Sequence, residues 1–303
     1  MRLVYHQAHP GNFGDDLNAW LFPELLPKGF FDDDEAVLFY GIGTVLARKM
    51  RRRRSRKIIF GSGAGYKPPP ALDDSYDVFF VRGPLTARAL NLDPSRAISD
   101  PAYLIRDTAY ARQEVKPEVE ASVIPHYLSM GMLDWESVSR TTGLQLIDPS
   151  EHWRNVVNQI RRSRLVVTES LHGAILADAF RIRWVPVRFS YRFLDFKWID
   201  WCQSIGVAFA PVDLPPAFQG SLRARKRAVN FLRNQLARTG LGPASWTRRP
   251  YRKSSDKELD ALASVLRHTA STHRGFLSDD AVFENILVQL RRQLELLQKT
   301  FPD

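Results

Sequence analysis

One cysteine in 303 residues, Cys202, excludes any internal disulfide and sets aside the small cross-linked secreted folds. Its setting, "WIDWCQSI", reads as a helix face, where a buried thiol is expected rather than a nucleophile. No apolar run approaches the roughly 20 residues that cross a bilayer as a helix. The opening "MRLVYHQAHPGNFGDDLN" starts like a strand and turns polar at once, unlike a signal peptide, so cytoplasmic residence is the expectation. No cysteines and histidines share zinc spacing, and no metal is expected. "GSGAG" (61–65) is not followed by the Gly-Lys-Ser/Thr of a phosphate loop, and "HPGNFGDDLNAW" (9–20) does not fit G-x-G-x-x-G. Both absences argue against an ATP or nicotinamide enzyme.

The next absence is local. From Ser221 to Lys253 there are 10 Lys/Arg and no Asp/Glu, a charge equal to the net +10 of the whole chain. "RKMRRRRSRK" (48–57) is a second block without acid. Such runs are either solvated faces or attractors of a polyanion: an anionic membrane surface, a phosphate-bearing substrate or nucleic acid. The basic runs lack the interleaved aromatics of an RNA-binding surface, so nucleic acid is the weakest of these.

What is present is an alternation of strands and helices. "RLVYH" (2–6), "AVLFYG" (36–41), "KIIFGSGAG" (57–65) and "VFFVRG" (78–83) are short apolar runs ending in glycine or a polar residue. Helices are predicted between them in "DDLNAWLFPEL", "GTVLARKM" (43–50) and "GPLTARAL". Continuous apolar strands separated by helices predict a parallel sheet covered on both faces. The polar stretch 106–121 reads as a linker, after which the pattern restarts with strands in "SVIPHYL" (122–128), "LQLIDP" (144–149), "RLVVTE" (164–169) and "RWVPVRF" (183–189). Ser150 is the expected N-cap of the helix at 150–163, and "HGAILADAF" and "DFKWIDWCQSIGV" supply two more helices. The fold class is therefore α/β: two Rossmann-like lobes, 1–112 and 113–215, facing a cleft, followed by a basic helical extension, 216–303.

In such sheets ligands bind beyond the carboxyl ends of the strands, and the chemically rich turns lie there. In "LVVTESLHGAILADAF" (165–180), Ser170, Leu171, His172 and Gly173 form a strand-to-helix turn whose free N–H groups and helix dipole make an anion site. His172 sits at its mouth as a candidate general acid, against the plainer reading of a structural histidine. In the first turn, Asn12, Gly14 and Asp15 are candidates to line the cleft, with Asp15 or Asp16 either capping a helix or taking a proton from a sugar hydroxyl. Arg82 ends a strand ahead of Gly83-Pro84, placed for bidentate binding of phosphate or carboxylate or for a plain ion pair. Asp100 and His126 occupy further turns, and Arg188, Arg192 and Lys197 follow the His172 helix closely. Several cations converging on one cleft suit a small, highly charged anion.

With these elements in order, the sequence resembles the polysaccharide pyruvyl transferase family. The resemblance rests on "NFGDDLN", "GSGAG", "VRGPLTARAL", "SDPAYL", "IPHY" and "ESLHGAILADAF" followed by "KWIDW", and spans about residues 4 to 207. It is strongest with the branch acting on bacterial exopolysaccharide repeat units. It implies a glycosyltransferase-B-like fold, with the first lobe on the acceptor side and the second on the donor side. It implies transfer of pyruvate from phosphoenolpyruvate to two hydroxyls of one sugar, forming a cyclic ketal and releasing phosphate, with no further cofactor. By position it makes Arg82, His172 and Lys197 donor-site residues. Relatives often carry arginine where this chain has Ser170, so that contact falls to Arg188 or Arg192. Asp15, Asp16 and Asp100 stay open as the base that activates the acceptor. The expected acceptor is a lipid-linked oligosaccharide at the inner face of the cytoplasmic membrane, with 221–253 facing anionic lipid. The alternatives are a nucleotide-sugar-dependent glycosyltransferase of the same fold and a non-catalytic polyanion- or membrane-binding protein.

Overall fold

The computed structural model describes residues 1–32, 34–47 and 55–302. Most of the basic block 48–57 lies outside the described residues.

The N-terminal sheet holds β1 (Arg2–Val4), β2 (Val37–Tyr40), β3 (Arg56–Phe60) and β4 (Tyr76–Phe80), all parallel and in that spatial order. Between β1 and β2 come α1 (Phe13–Asp16) and α2 (Asn18–Leu25). After β4, α3 (Pro84–Ala89) begins with proline at its first position, where the missing N–H costs nothing. The helix predicted at 43–50 does not form over its described part. Gly43 has φ +126°, outside the helical region, and Leu46 instead bridges to Ala64 as a strand would. Asn18 holds this loop to α2, donating to the Ile42 carbonyl (3.0 Å) and accepting from the Ile42 N–H (2.8 Å).

The stretch read as a linker is partly structured. A 3₁₀ helix, Pro101–Asp107, is capped by Asp100, whose Oδ1 accepts from Ala102 N–H at 3.0 Å, and α4 (Ala109–Arg112) follows. Ala102 to Ile105 are fully buried, because the apolar "AYLI" packs where the two lobes meet.

The second sheet contains β5 (Ser122–Ile124), β6 (Gln145–Leu146), β7 (Leu165–Thr168), β8 (Arg183–Arg188) and β9 (Val212–Asp213), all parallel, in the order β6-β5-β7-β8-β9. Its helices are α5 (Trp135–Thr142), α6 (Trp153–Arg161), α7 (Leu171–Ala179) and α8 (Asp195–Ser204). His152, not Ser150, caps α6: its Nδ1 accepts from Arg154 N–H, while the Ser150 hydroxyl donates to Asp148 at 2.7 Å. The chain runs outward from β5 to β6 on one side and from β7 to β9 on the other. That reversal opens a crevice at the carboxyl ends of β5 and β7, the general ligand position in such sheets.

All nine residues of α7 are buried, which explains its uninterrupted Leu, Ile and Ala composition. Its one carboxylate, Asp178, is satisfied by four donors: Tyr103 OH, Trp184 Nε1, and the N–H and hydroxyl of Ser278. The extension comprises α9 (Ala224–Arg238), α10 (Asp256–Thr272) and α11 (Asp280–Thr300). Leu262 and Leu266 of α10 join the core of the second sheet, and Phe283, Leu287 and Leu290 of α11 join the core shared with the first. Arg291 of α11 forks onto Asp107. The architecture is the expected one: an α/β protein of two parallel-sheet lobes facing a cleft, with a helical extension laid back across both.

Candidate active site

The carboxyl ends of the two sheets enclose a cavity of about 490 Å³. The first lobe contributes Tyr5 and His6 after β1, Asn12 and Asp15 at α1, Thr44 and Val45 after β2, and Tyr66 after β3. The second contributes His126 and Tyr127 after β5, Ser170, Leu171 and His172 after β7, and Arg192 and Lys197 after β8. Its floor is the crevice between β5 and β7.

His172 lines the cavity, largely buried. Its buried Nε2 has no hydrogen-bond partner among the described residues and lies 3.9 Å from Oδ2 of Asp100, which also lacks one. Burial, then the nearby charges of Lys197 and Arg82, push the imidazole down to about 3. This favours the neutral ring near pH 7, so a role as general acid would need a bound anion to raise its proton affinity. Asp15 moves the other way. Burial raises it to about 7, against the opposing effects of the Asn12 amide, which donates to Oδ2 at 2.5 Å, and of Lys197. Raised this far, the Asp15 carboxyl can carry a proton and release it near neutrality.

Asp16 turns away from the cavity and accepts from the backbone N–H of Asn12 at 3.1 Å, so it serves the turn. Asp100 stands behind His172 rather than in the lining; burial raises it to about 6, partly offset by Arg82. His126 lines the cavity, but its Nδ1 accepts from Leu128 N–H, and burial holds it well below its ordinary value. Glu169 points away: it accepts from the N–H of His126 (3.1 Å) and of Ser190 (2.8 Å), clamping the turns after β5 and β8 together.

The cations separate cleanly. Lys197 is buried and donates to the Tyr66 hydroxyl at 3.1 Å, a contact across the two lobes, and makes no ion pair among the described residues. Arg192 lines the cavity, stacked over Tyr191, and likewise has no carboxylate partner among the described residues. Arg188 is occupied by Asp195 (2.7 Å) and Asp213 (2.8 Å) outside the lining, so of the two arginines offered for one contact, Arg192 is the one the cavity contains. Arg82 is fully buried one layer behind the wall. It pairs with Asp200 at 3.3 Å and donates to the Thr44 hydroxyl at 2.9 Å. It is thus engaged in the ion pair that was the alternative reading of its position, and it reaches the cavity wall through Thr44.

Gly14 and Gly173 permit close approach rather than touching a ligand. A Cβ on Gly14 would lie 2.0 Å from His172 Nδ1, and one on Gly173 2.6 Å from the Thr168 hydroxyl. Ser170 occupies the N-cap of α7 without a side-chain capping bond, and Ser170, Leu171 and His172 line the cavity at this helix start. Sequence reasoning missed Tyr66, Tyr127 and Thr44. Tyr66 directly follows "GSGAG" and Tyr127 directly follows His126, so their adjacency to recognised turns was the available signal. Among the described residues no group of three or more His, Cys, Asp or Glu is placed to hold a metal ion.

The model of the polysaccharide pyruvyl transferase family matches residues 28–191 of this chain. The succinoglycan biosynthesis protein ExoV of Rhizobium meliloti is 40% identical over 217 residues, covering 71% of this chain and 68% of that protein. Among solved structures, an uncharacterised protein of Klebsiella pneumoniae is similar at a TM-score of 0.37 and 19% identity, over 61% of this chain and 83% of its own. The wall teichoic acid polymerase TagF is similar at a TM-score of 0.28 and 12% identity, over 86% and 74%. Scores this low add nothing to the fold described above.

Proposed function

Since the chain belongs to the polysaccharide pyruvyl transferase family, we propose that its cavity joins phosphoenolpyruvate to two hydroxyls of one sugar as a cyclic ketal and releases phosphate. The observation that carries this reading is the grouping, in one inter-lobe cavity, of two unpaired cations, an uncapped helix start and a carboxyl that titrates near neutrality. Phosphate and carboxylate of the donor suit Lys197, Arg192 and the first turn of α7 on the second lobe, 113–215. The acceptor sugar then lies against Asn12, Tyr5 and Tyr66 of the first lobe, 1–112.

The chemistry needs one proton at C3 of the enol. Asp15 supplies it, leaving C2 an oxocarbenium ion that the first hydroxyl attacks; the resulting carboxylate takes that hydroxyl's proton. The C2–O bond to phosphate then breaks, and the second hydroxyl closes the ring, its proton leaving with the phosphate. The neutral His172 ring binds the phosphate, whose negative charge offsets the effect of Lys197 and Arg82 and raises the ring's proton affinity. Holding donor and diol in one enclosed space supplies much of the rate.

The relative's part in succinoglycan biosynthesis supports an exopolysaccharide unit as acceptor; that this unit is carried on a lipid at the inner face of the cytoplasmic membrane is our further proposal. No described helix is long and apolar enough to cross a membrane. The test is acceptor-dependent phosphate release from phosphoenolpyruvate across a panel of lipid-linked saccharides. No release with any acceptor, together with thermal stabilisation by a nucleoside diphosphate instead of phosphoenolpyruvate, would move the protein to nucleotide-sugar chemistry.

A further inference from the structure

Helix α9 is built inside out. The side facing the protein is polar: Asn230 and Asn234 are buried, and their amides donate to the carbonyls of Pro250 and Thr247 at 2.7 Å. The opposite side carries Val229, Leu232 and Leu236, at helical spacing, exposed by 39%, 61% and 42%. Leu241, just past the helix end, is 74% exposed. A helix that contributed only to the fold would bury its apolar stripe and solvate its asparagines.

The charge around the stripe is of one sign. Arg223, Arg225, Lys226 and Arg227 are exposed at the helix's first turn, where the dipole favours anions and opposes cations. Arg238 ends the helix, and no Asp or Glu occurs between Ser221 and Lys253. Helix stability does not account for four cations at that end; an external anion does. A basic polar flank beside a solvent-facing apolar stripe is the pattern of a helix lying in the headgroup layer of an anionic bilayer.

Its position relative to the cavity is also informative. On the α9 flank, Arg233 stacks over Trp246, Arg249 stacks over Tyr191 at 4.5 Å, and Arg192 over the same ring at 5.2 Å. Arg249 is lowered by burial and then by the charge of Arg233, so these cations press on one another. None of the three has an ion-pair partner among the described residues, and Arg192 lines the cavity. A track of unpaired arginines therefore runs from the helix to the cavity mouth.

We propose that α9 is a peripheral membrane anchor: Val229, Leu232, Leu236 and Leu241 enter the interface of an anionic bilayer while the surrounding arginines bind its headgroups. The anchor stands on the helix itself; only its purpose, bringing a lipid-carried sugar to the cavity, rests on the transfer reading above. Vesicle flotation of the full chain, with no substrate present, tests it independently of catalysis. The protein floats with phosphatidylcholine vesicles containing phosphatidylglycerol and not with phosphatidylcholine alone. The Leu232→Glu/Leu236→Glu double variant, altered only at exposed positions, lowers the bound fraction about tenfold or more. Because the single native cysteine is buried, a polarity-sensitive label on a Leu232→Cys variant reports insertion directly, its emission shifting blue only with the anionic vesicles. Wild-type flotation retained by the double variant would overturn the proposal, as would a label that reports water in every case. A self-associated wild type that the double variant dissociates, with no flotation, would assign the stripe to a second copy of the chain instead.

Discussion

A Cβ placed on Gly14 would stand 2.0 Å from Nδ1 of His172. The first turn of the N-terminal lobe thus packs directly against the imidazole of the C-terminal lobe, an approach that a residue with a Cβ would not permit.

Gly14→Ala is therefore expected to force α1 or the imidazole to move, lowering turnover by at least about a hundredfold, since sub-ångström misplacement of reacting groups is that costly. Gly131, where an added Cβ meets nothing within 4 Å, is the control. Gly131→Ala should stay within about 0.5 kcal/mol of wild type and keep its activity. Steady-state rates and thermal unfolding of the two variants decide this; equal activities would show that the imidazole's position is immaterial.

Asp15 sets a pH dependence whose sign is fixed by burial. The folded chain keeps a proton there up to about 7, whereas the unfolded chain releases it near 3.8. Stability from this group is full below 3.8 and declines as pH rises toward 7. Asp15→Asn removes the decline, so the variant should gain on wild type by on the order of 2 kcal/mol between about pH 5 and about pH 8. His172 acts in the opposite sense, its contribution being full above 6.5 and lost as pH falls toward about 3. Urea unfolding at the two pH values measures the gain; a constant difference would mean Asp15 is not shifted. With Asp15 as proton donor, wild-type kcat also falls on the alkaline side of about 7, and the asparagine variant is inactive throughout.

Arg82 carries a prediction that its sequence position does not. Both it and Asp200 are fully buried, and Asp200 also accepts from the N–H and hydroxyl of Thr86. Arg82→Ala leaves a buried carboxylate without its cation, a loss of about 3–5 kcal/mol. Activity and denaturant midpoint should fall together. An inactive variant of wild-type stability would instead return Arg82 to direct donor binding.

Those two lobes, their parallel strands and most of the cavity's turns were legible in the sequence because buried parallel strands leave short apolar runs with polar ends. The helix expected at 43–50 is absent from its described part, 43–47, where Gly43 takes a positive φ and lies so close to Asp15 that Oδ1 would sit 2.9 Å from a Cβ there. That contact joins residues far apart in the chain. What distinguishes Arg82 and Arg188 from Arg192 and Lys197 is likewise a carboxylate brought in by tertiary structure. The neutral state of His172 depends on desolvation and two distant cations, which no local pattern records. The polarity of α9 was visible as charge, but its inversion appears only once Asn230 and Asn234 are seen to face inward.

Separation of the three cations behind the His172 helix yields the last prediction. Lys197 and Arg192 line the cavity without an ion pair among the described residues, while Arg188 is committed to Asp195 and Asp213. A charge-assisted contact to phosphate or carboxylate contributes about 1.5–3 kcal/mol, equivalent to roughly tenfold or more in affinity. Lys197→Met and Arg192→Met should each raise the KM for phosphoenolpyruvate by about that factor and shrink its thermal-shift effect. Lys197→Met also removes a neighbouring positive charge from His172 and Asp15, so the imidazole's proton affinity rises and that of Asp15 rises with it. The alkaline limb of the rate profile should then move to higher pH in this variant alone. Arg188→Met should leave the donor KM within about twofold of wild type, its effect confined to the loop that Asp195 and Asp213 hold. If Arg188→Met weakened the donor as much as Lys197→Met, the donor would not be binding at the mouth of α7.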